Sequence, residues 1–268
     1  MNDFSTLELQ HDPRGFATLW LARPEKNNAF NAQMIRELIV ALDLVANDGT
    51  LRFLLIRARG KHFCAGADLA WMQHAAQLDF NTNLDDAREL AELMYSLGKL
   101  KLPTLAVVQG AAFGGGLGLI SCCDLAIGAE DAQFCLSEVR IGLTPAVISP
   151  FVVKAIGERA TRQYALSAER FDGLRARELG LLAETFAAQY LEQRVAHWVD
   201  TLLLNSPQAM RACKELLREV AHGETTAAVR RYCENAIARI RVSGEGQEGL
   251  RAFLEKRPPA WQAQEPRP

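Results

Sequence analysis

Apolar positions along the chain fall into two regimes. Up to about residue 157, short apolar runs of strand length alternate with helix-period stripes; beyond 158 the pattern reads as helical throughout. Residues 5–22 predict two short strands around the turn "HDPRG". A helix is expected from an Asn31 cap, with Met34, Ile35, Leu38, Ile39, Leu42 and Val45 on one face. "LRFLLIRA" and "PTLAVVQG" read as buried strands, and "DLAIGA" and "AQFCL" as further strands. Helices are expected from Asp68, over "ARELAELMYSLGKL" and after Gly114. Another spans "ISPFVVKAIG", with Ser149, Pro150 and Gly157 as its cap, first-turn and end signals. Residues 77–86 are polar and irregular, which predicts a mobile segment. Ser206 and Gly223 are expected to punctuate the later helices.

Strand–loop–helix alternation argues an α/β fold. A doubly wound sheet is the default for this pattern, and a spiral of ββα units fits it equally. The change of pattern places a boundary near 200, giving a 1–200 core and a 201–268 helical region. No repeat or low-complexity tract interrupts either.

Composition narrows the function classes. With 49% hydrophobic residues the chain can bury a substantial core. A net charge of −2 gives no bulk attraction for nucleic acid or anionic lipid. Lys and Arg do gather toward the C-terminus; solvated helix faces are the plainer reading, and contact with a phosphorylated ligand or another subunit is the sharper one. No apolar run reaches the roughly 20 residues of a membrane span. The start "MNDFSTLELQ" lacks a signal-peptide pattern, so a cytoplasmic protein is expected. Cys64, Cys122, Cys123, Cys135, Cys213 and Cys233 lack disulfide or zinc spacing, and most are expected as buried free thiols; no metal site is expected.

The chemistry concentrates at "GGGLGLISCCD", residues 114–124. It fits neither a dinucleotide fingerprint, because Ser121 stands at the last glycine position, nor a P-loop, nor a nucleophile elbow. A tight packing turn is the plainest reading. Glycines opening a helix also expose free backbone N–H groups at its positive end, which suits a developing oxyanion. A second donor would come from another small-residue turn, and "HFCAGADL" offers one.

Taken in order, "RPEKNNAFN", "FCAGADL", "PTLAVVQGAAFGGGLGL", "CCDLAI", "AQFCLSEVRIGLTP" and "FLEKRPPAW" resemble the crotonase (enoyl-CoA hydratase/isomerase) superfamily across nearly the whole chain. The resemblance implies a crotonase-like ββα spiral with a C-terminal helical region. It implies an acyl-CoA thioester as substrate, with no cofactor beyond the coenzyme A the substrate carries. It also implies a homotrimer or a dimer of trimers packed through the C-terminal helices.

Matched motif to motif, the resemblance puts the two oxyanion donors at Ala67 and Gly115 and a catalytic carboxylate at Glu138. Coenzyme A contacts fall on Lys26, Asn27 and Asn28, on Ala65 through Asp68, and on Phe253 and Lys256 in the tail. For Lys256 a solvated helix end is the competing reading, and for Asp68 a helix cap is favoured over catalysis. Trp71, Met72 and the 135–145 loop are expected around the acyl chain. Arg140 could meet a substrate carboxylate, although a surface role suits it better.

Family hydratases carry two glutamates, the first two residues after the triple glycine. Here Gly118 stands there, so one carboxylate remains. Some family isomerases place an Asp seven residues past the second glutamate, where this chain has Pro145. The narrower likeness is to bacterial hydratases of 3-methylglutaconyl-CoA and isohexenylglutaconyl-CoA, whose acyl chains are branched and carboxylated. Three functions therefore stand open: a hydro-lyase on such a substrate, a one-carboxylate enoyl-CoA isomerase, and a CoA-binding subunit without catalysis.

Overall fold

A computed structural model describes residues 4–221 and 223–262. Met1–Asp3 and residues 263–268, the ends of the two regions expected from sequence, lie outside it. The chain opens as a hairpin, β1 (Leu7–Asp12) and β2 (Phe16–Leu21), paired antiparallel. Helix α1 (Ala32–Asn47) follows, its first turn capped by Asn31, whose side chain accepts from Met34 N–H. Next come β3 (Leu54–Ala58), α2 (Leu69–Ala75), α3 (Phe80–Lys99), β4 (Thr104–Val108), β5 (Ala111–Phe113) and α4 (Gly115–Cys122). Then follow β6 (Leu125–Ala129), β7 (Gln133–Cys135), α5 (Ser149–Ser167), β8 (Phe171–Asp172), α6 (Gly173–Glu178) and β9 (Glu184–Phe186). Helices α7 (Leu191–Leu203), α8 (Pro207–Val220), α9 (Ala227–Arg241) and α10 (Gly244–Leu254) finish the chain.

The strands form two sheets, and this separates the spiral from the doubly wound alternative. The larger sheet runs β1-β2-β3-β4-β6-β9, parallel from β2 onward. The smaller runs β5-β7-β8 and continues through single bridges from Ala112 to Cys64 and from Ala67 to Phe30. Each turn of the chain places one strand in the first sheet, one short segment in the second, then a helix. Alternation within the strands divides the core. Leu54, Ile56, Ala106 and Val108 face the helices α1, α3, α4 and α5, while Phe53, Leu55, Leu105, Val107 and Ile127 face α7.

Three expectations change. Residues 80–86 are helical, because Asp79 caps α3 by accepting from both the N–H and the hydroxyl of Thr82. Ser149 does not cap α5: its hydroxyl donates to Pro145 O instead, and Gly157, at φ +78°, kinks the helix without ending it. Beyond 158, β8 and β9 interrupt the helices. They are too short for alternation to register, and they exist because β7 and β6 offer open edges. The boundary read at 200 falls within α7. Ser206 does cap α8, accepting from Ala209 N–H.

Cations anchor the late helices onto the spiral. Lys214 of α8 reaches the Asp124 carboxylate at 2.6 Å and Leu102 O at 2.8 Å, while Asp124 also accepts from Thr104 N–H and its hydroxyl. Arg52, 7% exposed, donates to Leu203 O, Asn205 O and Trp261 O. Arg211 donates to Leu51 O. Removing Lys214 strands a half-buried carboxylate. Lys214→Ala is expected to lower stability by about 3 kcal/mol in chemical denaturation; a loss under ~0.5 kcal/mol contradicts the anchoring role.

Candidate active site

The small sheet assembles the site. Cys64 N–H donates to Ala111 O and Phe113 N–H returns to Cys64 O; Gly114 N–H donates to Cys135 O. Phe30 N–H donates to Gly66 O, and Asp68 N–H to Phe30 O. Four consecutive turns of the spiral are thereby held in register, and the last three carry the expected site residues at the same end. Ala67 lies just beyond Cys64, Gly115 just beyond β5, and Glu138 just beyond β7. Ligands in parallel α/β sheets favour this carboxyl end of the strands.

Two turns there need backbone that side chains resist. Gly66 has φ +98° and Gly114 φ +49°. A Cβ at Gly114 would stand 3.1 Å from Glu138 Oε1 and 3.9 Å from Gly66 Cα, so the three segments converge at that point. Gly115 begins α4, and a Cβ on it would meet the Phe30 ring at 2.7 Å. Neither Gly115 N–H nor Ala67 N–H has an acceptor among the described residues, and both positions retain exposure. These are two unsatisfied backbone donors on adjacent turns, one of them at the positive end of α4.

Glu138 heads a single 3-10 turn, Glu138–Ile141, closed by Leu143 N–H on Glu138 O and by Gly142 at φ +78°. Its Oε2 is buried without a hydrogen-bond partner, and among the described residues no cation pairs with the carboxyl. Burial raises its pKa from the usual carboxylate value, and its own backbone N–H only partly opposes that. Trp71 Nε1 is likewise buried without an acceptor. The Cys64 thiol beside the glycine loop is pushed up to about 12, chiefly by burial, and stays protonated.

Other expected residues serve the frame. Asn28 is fully buried in left-handed conformation; its Oδ1 accepts from Arg23 N–H and its amide donates to Arg59 O and His62 O. That leaves its side chain no free donor for a ligand. Asp68 caps α2 through Ala70 N–H and pairs with Arg23 at 2.9 Å. Burial opposes its ionisation, but those contacts outweigh it and its pKa is lowered. Lys26 and Asn27 are exposed, and Asn27 O accepts from Ala65 N–H, joining the first turn to the second. Phe253 is 82% exposed at the end of α10, and Lys256 follows it at φ +56°. Neither makes a hydrogen bond or ion pair with Glu138, Ala67 or Gly115. Arg140 donates to Ala168 O and so caps the end of α5.

Gly118 holds the main feature that sequence alone did not reveal. A Cβ there would lie 2.3 Å from Ile148 Cγ2, 2.9 Å from Ile148 Cβ and 3.3 Å from Met94 Cε. The position is a close crossing of α4 with the start of α5, filled by the 2%-exposed Ile148. Among the described residues no cluster of His, Cys, Asp or Glu could hold a metal, and no helix is long and apolar enough to cross a membrane.

Residues 12–264 match the enoyl-CoA hydratase/isomerase family, and the chain belongs to that family. It is an enzyme of the enoyl-CoA hydratase type. Its structure is similar to that of an enoyl-CoA hydratase from Shewanella pealeana, at 48% identity over 97% of each chain with a TM-score of 0.92. Pseudomonas aeruginosa AtuE is similar at 37% identity and a TM-score of 0.92, over 96% of this chain and 100% of its own. The 2,3-dehydroadipyl-CoA hydratase of Escherichia coli is 28% identical over 90% of this chain and 92% of its length.

Two outcomes follow from this geometry. Gly118→Ala should cost about 1–3 kcal/mol by overpacking. Combined with Ile148→Ala it should cost less than the sum of the two single losses; strict additivity would mean that they do not touch. Glu138 has a raised pKa in the folded protein, so its ionised form is a burden that grows as pH rises through that value. Glu138→Gln is therefore expected to melt higher than the native protein at neutral pH, with the gap closing toward pH 4.5; a variant less stable at neutral pH reverses that sign.

Proposed function

We propose that this chain hydrates a branched, carboxylated 2-enoyl-CoA, with Glu138 as its only acid–base group. The observation that carries this reading is the unpartnered Glu138 carboxyl beside Gly114, on the turns that also carry the free N–H groups of Ala67 and Gly115. Ala67 and Gly115 N–H would hold the thioester oxygen as it becomes an enolate, the step that makes attack at Cβ accessible. Glu138 would take a proton from water as its oxygen adds to Cβ, then return a proton to Cα. One H and one OH are added, and the carboxylate is restored. A raised pKa suits a group that must both take and give that proton near neutrality.

The carboxylated substrate rests on the likeness in "GGGLGLISCCD" and "LSEVRIGLTPAVISPFV" and on the relative named for 2,3-dehydroadipyl-CoA, itself a carboxylated enoyl-CoA. In this reading residues 1–200 form the acyl-CoA-binding core, and 201–268 pack subunits into a trimer or dimer of trimers. Lys26, Asn27, Ala65, Phe253 and Lys256 are the coenzyme A contacts, Phe253 and Lys256 from across a subunit boundary. Exposed Phe253, Leu254 and Leu250 support such packing. The reaction needs no cofactor beyond coenzyme A in the substrate, and we place the enzyme in the cytoplasm.

A second reading has one specific observation in its favour. Ile148 fills the first-glutamate position, and a single base suffices to move a proton from Cα to Cγ in a 3-enoyl-CoA. Assays of 3-methylglutaconyl-CoA and crotonyl-CoA for loss of enoyl absorbance, beside a 3-enoyl-CoA for its gain, decide between the two. Hydration of the carboxylated thioester is expected. Deuterium incorporation at Cα without water addition would select the isomerase. Glu138→Gln should lower kcat by about 10²–10⁴-fold, and Gly115→Val, which drives a side chain into Phe30, by at least ~10²-fold. Native rates in either variant defeat the catalytic assignment.

A further inference from the structure

The strongest unassigned feature at the cleft is a cation. Arg170 lies between the end of α5 and β8, exposed, with no hydrogen bond or ion pair to any described residue. Its guanidinium sits over the Phe113 ring, 5.1 Å from the centroid. Phe113 is the last residue of β5, immediately before Gly114 and Gly115, and its Cβ lies 3.9 Å from where a Cβ on Gly66 would be. The guanidinium therefore lies over a residue that adjoins both turns converging on Glu138.

Neighbouring groups sharpen the contrast. Arg140, Arg170 and Glu138 all act on Cys135, whose thiol is raised mainly by burial, with the two arginines opposing that rise and Glu138 adding to it. Arg140 is committed to Ala168 O. Glu138 has no cationic partner, so Arg170 is not neutralised by the catalytic carboxyl. Over an aromatic ring and without a hydrogen-bond acceptor among the described residues, the Arg170 guanidinium keeps its N–H groups free. A free guanidinium can capture a carboxylate or phosphate through two of them.

We infer that Arg170 binds an anionic group of the acyl-CoA substrate at the mouth of the cleft, either a carboxylate on the acyl chain or a phosphate of coenzyme A. This rests on the acyl-CoA reading above. Both sources offer paired anionic oxygens, and unreactive saturated probes tell them apart by binding alone.

Calorimetric titration of the full-length protein with glutaryl-CoA, butyryl-CoA and butyryl-pantetheine provides the test. Arg170→Gln and Arg170→Lys are compared with the native chain, and melting curves report folding. If the acyl carboxylate is the ligand, Arg170→Gln weakens glutaryl-CoA about tenfold more than butyryl-CoA. If a phosphate is the ligand, both CoA thioesters weaken about tenfold relative to butyryl-pantetheine. Arg170→Lys, which keeps charge without the planar fork, should fall between. Ratios that stay within threefold in a folded Arg170→Gln protein overturn the assignment while leaving the catalytic reading intact. Failure of the native chain to bind any of the three thioesters overturns both.

Discussion

Everything at the cleft depends on one ladder of backbone hydrogen bonds. It runs from Phe30 to Gly66, from Cys64 to Ala111 and Phe113, and from Gly114 to Cys135. No side chain in it has to do chemistry. Its effect is to bring three successive turns of the spiral to a common edge, so that donors and acid meet although they are far apart in sequence. Small residues are needed at that edge because the turns approach within van der Waals contact. The large sheet and the helices α1, α3, α4 and α5 hold the ladder flat against a continuous apolar core.

Within that frame, the proposed role of Glu138 and the stability of the fold pull apart. A buried carboxyl with no partner is a cost to the fold, and a carboxyl with a raised pKa is what proton shuttling requires. The free N–H groups of Ala67 and Gly115 show the same tension. Two neighbours of the site are fully engaged: Asn28 uses its whole amide, and Asp68 closes both a cap and an ion pair. At this edge the unpaired groups are Glu138 Oε2, Trp71 Nε1 and the N–H groups of Ala67 and Gly115.

Much of this was legible in the sequence because it rests on local rules. The caps at Asn31, Asp68 and Ser206, the buried runs of β3 and β4, and the motif match at Glu138 follow from neighbours in sequence. What escaped depends on distant partners. β8 and β9 exist only because another strand offers an edge. The start of α3 has a polar face and one capping aspartate, so periodicity could not find it. Arg140 reads as a free cation until Ala168 O is placed beside it. Asn28 matched a ligand-binding motif, yet its side chain is held by the backbone of the next turn of the spiral. Phe113 gives no hint in sequence that Arg170 lies across it.

The contact between Gly118 and Ile148 bears on the history of the site as much as on its chemistry. Placing an acid at 118 by one substitution would drive a charged side chain into a closed helix crossing, and the fold would suffer before any catalytic gain appeared. Opening the crossing first, by shrinking Ile148, would leave a void with nothing to fill it. Either single step is penalised, and only the pair together could be tolerated. The crossing thus acts as a ratchet: while Ile148 fills the space, packing alone opposes an acid at 118, and substitutions around the cleft's rim meet no such barrier.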